Sequence, residues 1–344
     1  MAMDDYQVTL GGTRVEQVPG VRVTPVHPVI ISVSRETDIP AFYMDWFLDR
    51  YARGYLFWKN PYRQDHRQQV FFDQTRGAVF WTKDPGALLV RLDEIDALGL
   101  HYYVQVTLNH YEGSGYEPGV PPLQKRIADF QELSRRLGRE RVVWRFDPLL
   151  LSDQITPDDL AGRIQFLFSC LGPFCKRMVF SFVDISGYRG VTRNLKQYGL
   201  TAIRELTPDE KLETAGFLQR CSEKFGPLVM ACSQELDLTP FGIVPGRCVD
   251  DRWFRKIAPH DPEFNQWLDR DAKKDKGQRP YCTCIVAKDV GEYSTCMHQC
   301  RYCYANRSDE VVAGRYYRHV DAMRQGVLPE SIVPDTGSGI SEEN

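Results

Sequence analysis

The sequence predicts an α/β protein, specifically a parallel (βα) partial barrel of the TIM type that carries a C-terminal cysteine-rich segment. Short apolar runs alternate with amphipathic stretches of helix length along most of the chain. Polar residues follow directly after each apolar run, and half of the ten cysteines fall in one stretch near the C-terminus. Strands that alternate with helices pair in parallel, with the helices covering the sheet.

Composition narrows the class of protein. The 344 residues include 42% hydrophobic and 26% charged residues, which is typical of a globular chain and not of a disordered one. Lys and Arg number 43 against 46 Asp and Glu, a net charge of -3, so the basic excess of a nonspecific nucleic-acid binder is absent. Nucleic acid is therefore an unlikely partner that charge alone does not rule out.

No stretch reaches the ~20 apolar residues of a membrane-spanning helix, so we expect no membrane association. The first ten residues, MAMDDYQVTL, lack the layout of a signal peptide. We therefore expect a cytoplasmic protein with reduced thiols, in which ten cysteines do not form a disulfide framework.

The elements follow in order along the chain. A polar N-terminal arm covers residues 1–27, and the barrel covers residues 28–240. Its predicted strands are residues 29–34, 78–82, 102–107, 142–146, 178–182 and 228–232. Its predicted helices are residues 41–53, 88–98, 123–137, 157–171 and 208–225.

The alternation of predicted strands and helices ends after the predicted barrel. Residues 241–325 form the predicted C-terminal cysteine-rich cluster segment, with a charged helix running to Arg279 and a short helix at residues 316–323. Residues 326–344 end in PDTGSGISEEN, a composition typical of a tail.

Charged side chains follow the predicted strands where reactive groups of parallel barrels are found. Glu36, Lys83 and Asp147 stand just after apolar runs, and Arg145 lies near the end of one. The carboxyl ends of parallel strands converge on one opening. Helix capping is the alternative for Asp38, which precedes a predicted helix. Capping explains Glu36, Lys83 and Arg145 less well, so we predict that these side chains line one polar cavity.

The strongest chemical signal is the spacing of Cys296, Cys300 and Cys303, which is C-x-x-x-C-x-x-C with Tyr302 before the last cysteine. Three thiolates on a short loop can bind three irons of a 4Fe-4S cluster and leave the fourth iron open. The alternative is a structural zinc ion, with Cys282 and Cys284 completing a four-thiolate site.

This motif resembles the cluster loop of the radical S-adenosylmethionine (SAM) superfamily. The resemblance implies that SAM binds the open iron and is cleaved reductively to start radical chemistry on a substrate. It also implies a partial or full parallel barrel, often of six strands. Tyr302 and the loose glycine pattern of Gly242 and Gly246 are then the residues beside the cofactor.

Longer pieces resemble an uncharacterised bacterial family with a radical SAM-like C-terminal cysteine cluster. The pieces are SVSRETDIP, FWTKDP, RFDPLL, ACSQELD and the terminal CxC…CxxxCxYCYAN, and they span residues 29–306. The YCY triplet and the Thr-Lys pair are also similar to the spore photoproduct lyase group. Since the cluster loop follows the barrel here, the resemblance implies a circularly permuted order.

The resemblance assigns expectations to individual residues. Glu36 or Asp38 would pair with the ammonium of SAM, and Lys83 or Arg145 with a carboxylate. Arg145 and Asp147 would orient substrate or form an intrachain ion pair. A basic C-terminal segment would neutralise the anionic cluster, dock an electron donor such as flavodoxin or ferredoxin, or contact a phosphate-bearing substrate.

A second group of cysteines could hold another metal. Cys232, Cys248, Cys282 and Cys284 would meet at the barrel mouth and support an auxiliary iron-sulfur cluster. The alternative for Cys232 is packing as a small apolar side chain.

Overall fold

The computed structural model describes residues 7–10, 13–16, 21–63 and 65–335. Its strands are β1 (Gln7–Leu10), β2 (Thr13–Glu16), β3 (Arg22–Val26), β4 (Ile30–Val33), β5 (Tyr55–Lys59), β6 (His66–Phe71), β7 (Gly77–Thr82), β8 (His101–Thr107), β9 (Val142–Leu149), β10 (Arg177–Phe182), β11 (Leu228–Cys232), β12 (Val244–Gly246) and β13 (Lys288–Asp289). Its helices are α1 (Ile39–Phe42), α2 (Met44–Ala52), α3 (Pro85–Leu89), α4 (Leu92–Asp96), α5 (Leu123–Leu137), α6 (Pro157–Leu171), α7 (Arg189–Gln197), α8 (Pro208–Phe225), α9 (Asp251–Ile257), α10 (Pro262–Arg270) and α11 (Asp309–Arg324).

The main feature is an eight-stranded sheet in which every neighbouring pair is parallel. The strand order is β12-β11-β10-β9-β8-β7-β4-β13. Seven strands stand in chain order, whereas β13, which comes last in the sequence, stands beside the first strand through the pairs Lys288↔Ile31 and Asp289↔Ser32. The C-terminal segment therefore returns to the start of the sheet.

Both faces of this sheet are buried, as parallel sheets require. Ile31, Phe80 and Val104 belong to the core under the covering helices. Alternate residues, among them Ile30, Val79 and Tyr103, belong to a second core that also contains Phe254 of α9 and Phe264 of α10. The period-2 alternation of a strand explains why neighbours in sequence enter different cores.

The six predicted strands are present, with ends that differ from the prediction by at most three residues, and the helices predicted at residues 123–137, 157–171 and 208–225 form with those bounds. Thr156 and Thr207 begin α6 and α8 with capping boxes, each followed by a proline. The predicted α/β class with a parallel sheet is thus confirmed.

Four helix predictions were wrong in detail. The stretches 41–53 and 88–98 each form two short helices, the first pair separated at Tyr43. The charged helix through Arg279 is instead α9 and α10, ending at Arg270, because Asp261 caps a new helix that starts at Pro262. The helix at residues 316–323 is the second half of α11, which starts after its cap at Ser308.

Further segments form structure outside the eight-stranded sheet. β3 pairs with β6 beside β5 in a three-stranded sheet, and the indole of Trp46 donates to the carbonyl of Pro329 at 2.8 Å. The predicted N-terminal arm and tail lie partly outside the described residues, since residues 1–6, 11–12, 17–20 and 336–344 are not described. No helix in the described ranges is long and apolar enough to cross a membrane.

Candidate functional site

The loop of residues 296–303, called the cysteine loop below, lies over the carboxyl ends of the strands. Its Tyr302 hydroxyl is 3.3 Å from Lys83 Nζ, just beyond β7, and accepts from Asn109 Nδ2, beyond β8, at 3.0 Å. The same hydroxyl donates to Glu117. Tyr302 therefore docks the cysteine loop onto two neighbouring strand ends.

Lys83 and Glu117 form a buried ion pair beneath Tyr302. Lys83 Nζ is 2.7 Å from Glu117 Oε1, and the Glu117 side chain is 4% exposed. Burial alone would raise the pKa of Glu117, but Lys83 and Arg126 outweigh it and lower that pKa to about 2. Both groups are charged at neutral pH, and Lys83 here positions the cysteine loop.

His298 fixes the middle of the loop. Its Nε2 lies 2.7 Å from Asp38 Oδ2, and its Nδ1 lies 3.0 Å from the carbonyl of Gly119. Asp38 also caps α1 and accepts from Thr82 Oγ1 at 3.0 Å. The helix capping expected as the alternative for Asp38 is present. Its carboxylate also binds His298.

Asparagines hold the ends of the loop together. Asn194 Nδ2 donates to the carbonyl of Cys303 at 2.8 Å, and Asn306 Nδ2 donates to the carbonyl of Cys296 at 2.9 Å. Gly119 packs so closely that a Cβ there would lie 2.3 Å from the carbonyl oxygen of Met297. The loop is held from both sides by side chains that sequence patterns did not single out.

The three thiols of the loop face buried surroundings. Burial raises the pKa of Cys296 well above its usual value and that of Cys300 to about 12, while Lys83 acts in the opposite direction on Cys300. Cys300 and Cys303 are close enough to Cys296 to act on its ionisation. The backbone N–H of Ala305 donates to Cys303 Sγ at 3.3 Å.

The second group of cysteines meets in the buried core that also contains Phe254 and Phe264. Cys248 Sγ is 3.7 Å from Cys232 Sγ, and Cys284 Sγ accepts from the backbone N–H groups of Cys248 and Val249 at 3.2 and 3.4 Å. Cys284 is in side-chain hydrogen-bond contact with both Cys248 and Cys282. We call these four side chains the four-thiol group. Across the described ranges, no set of three or more His, Cys, Asp or Glu side chains is already arranged to hold a metal ion.

Arg145 and Asp147 belong to the interior next to the four-thiol group. Arg145 Nη1 donates to Cys248 Sγ at 2.9 Å, while Nη2 contacts Asp147. Asp147 also accepts from Ser181, at the end of β10. The ion pair expected as the alternative role of Arg145 and Asp147 is present, and Arg145 also contacts a thiol.

Several buried polar atoms at the strand ends have no hydrogen-bond partner. Behind β4 these are Arg35 Nη2, Glu36 Oε2 and Thr37 Oγ1, and behind β11 it is Ser233 Oγ. Burial and the nearby Asp289 raise the pKa of Glu36 to about 9, so the carboxyl is neutral at pH 7. Unpartnered buried polar groups are expensive unless a ligand completes them.

The two glycines expected beside the cofactor shape the edge of the sheet. Gly242 adopts a left-handed φ of +68°, and a Cβ on Gly246 would lie 2.8 Å from the carbonyl oxygen of Ala231. Gly246 thereby allows β12 to pack against β11. Among the described residues, neither glycine forms a backbone hydrogen bond with the cysteine loop.

Two cavities lie at different ends of the sheet. A cavity of about 450 Å³ lies between Val29, Arg76 and His101, where strands begin. A smaller one of about 210 Å³ borders Glu117 and Arg126, next to the docking contacts of the cysteine loop. Reactive groups of parallel barrels belong to the opposite end from the larger cavity.

Asp289 was missed by sequence reasoning. Its carboxylate accepts from the hydroxyls of Ser32 and Ser34 at 2.8 and 2.5 Å and from the backbone of Arg35 at 2.9 Å. It therefore attaches β13 to β4 directly before the cysteine loop. Glu117 was missed as well, because neither residue belongs to a recognisable motif, and only the tertiary pairing shows their tasks.

The fold and the site together define an α/β protein built on an eight-stranded parallel sheet, with cysteines gathered at two places near its carboxyl edge. Residues 30–305 match the model of the family described as a domain of unknown function, DUF1848, and the chain belongs to that family. The expected membership of an uncharacterised family is confirmed. No curated protein matches the chain, and no solved structure does.

Proposed function

We propose that the protein is a radical SAM-like enzyme that binds a 4Fe-4S cluster through Cys296, Cys300 and Cys303. The observation that carries the proposal is that these three thiols lie on one loop docked over the carboxyl ends of parallel strands. When bound, the reduced cluster supplies the electron that cleaves SAM to methionine and a 5'-deoxyadenosyl radical. The substrate of that radical is open.

The residues present fit such a cluster. A cubane takes one thiolate per iron atom, so its three ligands do not need to converge on a single ion as zinc ligands do. The backbone N–H of Ala305 donates to Cys303 Sγ, the kind of bond that sets the potential of a cluster. The positive charge of Lys83 acts on Cys300 and Cys303 and favours their thiolate forms.

The chain also offers groups for the polar parts of SAM. Glu36 Oε2 and Arg35 Nη2 are buried without partners, and Tyr304, next to Cys303, donates to the carbonyl of Arg35 at 3.1 Å. Glu36 in its carboxylate form would accept from an ammonium, and Arg35 would donate to a carboxylate. We assign these two residues to cofactor binding, whereas Lys83 positions the cysteine loop.

The test is metal content followed by turnover. The protein is purified without oxygen beside a Cys296→Ala/Cys300→Ala/Cys303→Ala variant and a Cys170→Ala control, whose thiol lies in α6. We expect about four irons and four sulfides per wild-type and control chain, and loss of both in the triple variant. Reduced wild-type protein should then form 5'-deoxyadenosine from SAM.

Two results would overturn the proposal. One is a wild-type chain that takes up no iron after anaerobic reconstitution with iron and sulfide. The other is iron that the triple variant retains in full.

A further inference from the structure

The four-thiol group is separate from the cysteine loop and needs its own explanation. Cys232 ends β11, Cys248 follows β12, and Cys282 and Cys284 precede β13. Their side chains are 9%, 3%, 5% and 3% exposed in that order. Four thiols from three separate segments thus meet in one buried core.

We propose that Cys232, Cys248, Cys282 and Cys284 bind one zinc ion, which joins the last strands of the sheet to the segment that leads into β13. The proposal is independent of the cluster on the cysteine loop.

The spacing of the sulfurs favours a single ion. Thiolates bound at about 2.3 Å to one tetrahedral zinc ion are about 3.8 Å apart, and Cys232 Sγ and Cys248 Sγ are 3.7 Å apart. A disulfide would hold them at about 2.05 Å. A cubane spreads its thiolates over four irons and separates them further than one ion does, which disfavours an auxiliary iron-sulfur cluster here.

The contacts form a chain in which Cys232 touches Cys248, Cys248 touches Cys284, and Cys284 touches Cys282. Zinc would close this chain into a tetrahedron by drawing in the two outer thiols. The two backbone N–H groups that already point at Cys284 Sγ are the usual outer partners of a metal-bound thiolate.

The charges around the sulfurs suit thiolates. Four thiolates on Zn²⁺ leave two negative charges, and buried charge needs a partner. Arg145 Nη1 lies 2.9 Å from Cys248 Sγ, and Arg279 Nη2 lies 3.8 Å from Cys232 Sγ. Cysteines that pack only as small apolar side chains do not require two guanidinium groups beside their sulfur atoms.

An ion at this position would connect the two ends of the sheet. β12 and β13 are the two ends of the sheet order, and the segment between them is attached where Thr283 donates to Gly246 at 3.0 Å and Ile285 to Val249 at 3.1 Å. A zinc ion at the four-thiol group would bridge these ends with covalent strength. The barrel would then be closed by a metal where it lacks strand pairing.

The experiment measures zinc, iron and inorganic sulfide in the full chain after anaerobic purification. We expect one zinc per chain in wild type and in the Cys296→Ala/Cys300→Ala/Cys303→Ala variant, and its loss in Cys232→Ser and Cys284→Ser. Cys221→Ser is the matched control, because Cys221 is equally buried but lies in α8. That control should keep its zinc.

A second measurement does not depend on any variant folding. Wild-type protein stripped of metal under reducing conditions is titrated with Co²⁺, and we expect one equivalent to give the absorption bands of a tetrahedral thiolate complex, which Zn²⁺ then abolishes. Absence of both zinc and these bands would overturn the proposal. So would iron with sulfide that is lost in Cys232→Ser, which would identify an auxiliary cluster.

Failure of the enzyme proposal has a different signature. In that case the Cys296→Ala/Cys300→Ala/Cys303→Ala variant loses no iron relative to wild type. Zinc is still lost only in Cys232→Ser and Cys284→Ser.

Discussion

Single residues decide how firmly the cysteine loop is held, and Lys83 is the clearest example. Lys83→Met would leave the Glu117 carboxylate buried without its cation, which we expect to cost about 3–5 kcal/mol of unfolding free energy. The double variant Lys83→Met/Glu117→Gln should recover most of that loss, because it removes both charges. Chemical denaturation of the metal-free protein measures both.

Lys125→Met is the control for that experiment, since Lys125 pairs with Asp129 on the surface and is 56% exposed. A loss of no more than about 1 kcal/mol is expected there. Equal losses in Lys83→Met and Lys125→Met would show that the buried pair does not hold the loop.

Glu36 should make stability depend on pH. Its pKa rises from 4.5 to about 9 in the folded protein, so the folded state holds a proton that the unfolded state releases between these values. The contribution of Glu36 to the free energy of unfolding is therefore fully present below pH 4.5 and falls as the pH rises toward 9. Between pH 5 and pH 8 the loss should be about 4 kcal/mol, which is about 1.4 kcal/mol for each pH unit.

Glu36→Gln should flatten that part of the pH profile, as measured by urea denaturation at several pH values. The control is Glu213→Gln, which changes an exposed carboxyl on α8 and should leave the slope unchanged. If wild type and Glu36→Gln keep parallel profiles, Glu36 is not buried in its neutral form.

The cysteine motif could be read from the sequence because spacing alone defines which residues share a loop. The partners of the loop could not be read. Glu117 and Asn194 contact residues more than a hundred positions away, whereas Asn306 bonds to Cys296 within its own segment. Such contacts leave no periodic signal.

At the scale of elements, the loop before α5 presses on the cysteine loop through Gly119. Gly119→Ala would place a Cβ 2.3 Å from the Met297 carbonyl oxygen and 2.9 Å from His298 Cα, both backbone atoms that must shift. We expect the variant to lose about 1–3 kcal/mol of stability and to expose the loop thiols. Thiol titration of the metal-free protein and thermal unfolding test this.

Gly162→Ala is the matched control, since Gly162 lies inside α6 with open space at its Cβ position. It should be neutral or stabilising by up to about 1 kcal/mol. Unchanged thiol reactivity in Gly119→Ala would mean that the two loops do not depend on each other.

Elements with strong local signals were predictable. α6 and α8 have a threonine cap, a proline and an acidic third residue, and their bounds follow from these. β12 and β13 have three and two residues, which is too short for any period to show. Their place in the sheet comes from pairing partners that lie far away in the sequence.

For the whole molecule, Asp289 is the attachment point of the C-terminal segment. Asp289→Ala would leave the hydroxyls of Ser32 and Ser34 and the N–H of Arg35 without their acceptor, so we expect a loss of about 2–4 kcal/mol. Hydrogen exchange should show faster exchange at Val290, whose N–H donates to the Ser32 carbonyl.

Asp269→Ala removes an exposed carboxylate that pairs with Arg255 on the surface and should cost no more than about 1 kcal/mol. Protection of Val290 that is identical in Asp289→Ala and wild type would show that the strand pairing needs no carboxylate.

The α/β class and the parallel sheet followed from the alternation of strands and helices, which is a property of the whole chain. The order of the strands could not be predicted in this way, because no local sequence feature specifies that β13 pairs with β4. That pairing joins Ser32 to Asp289 across 257 positions.

The same pairing sets an order of events during synthesis. Chains leave the ribosome N-terminus first, and domains fold as their residues emerge. β13 and the cysteine loop follow the strands β4 to β12 in the chain, so those strands can pair before the loop is synthesised. Any metal that the loop binds would therefore meet a sheet whose other strands are already paired.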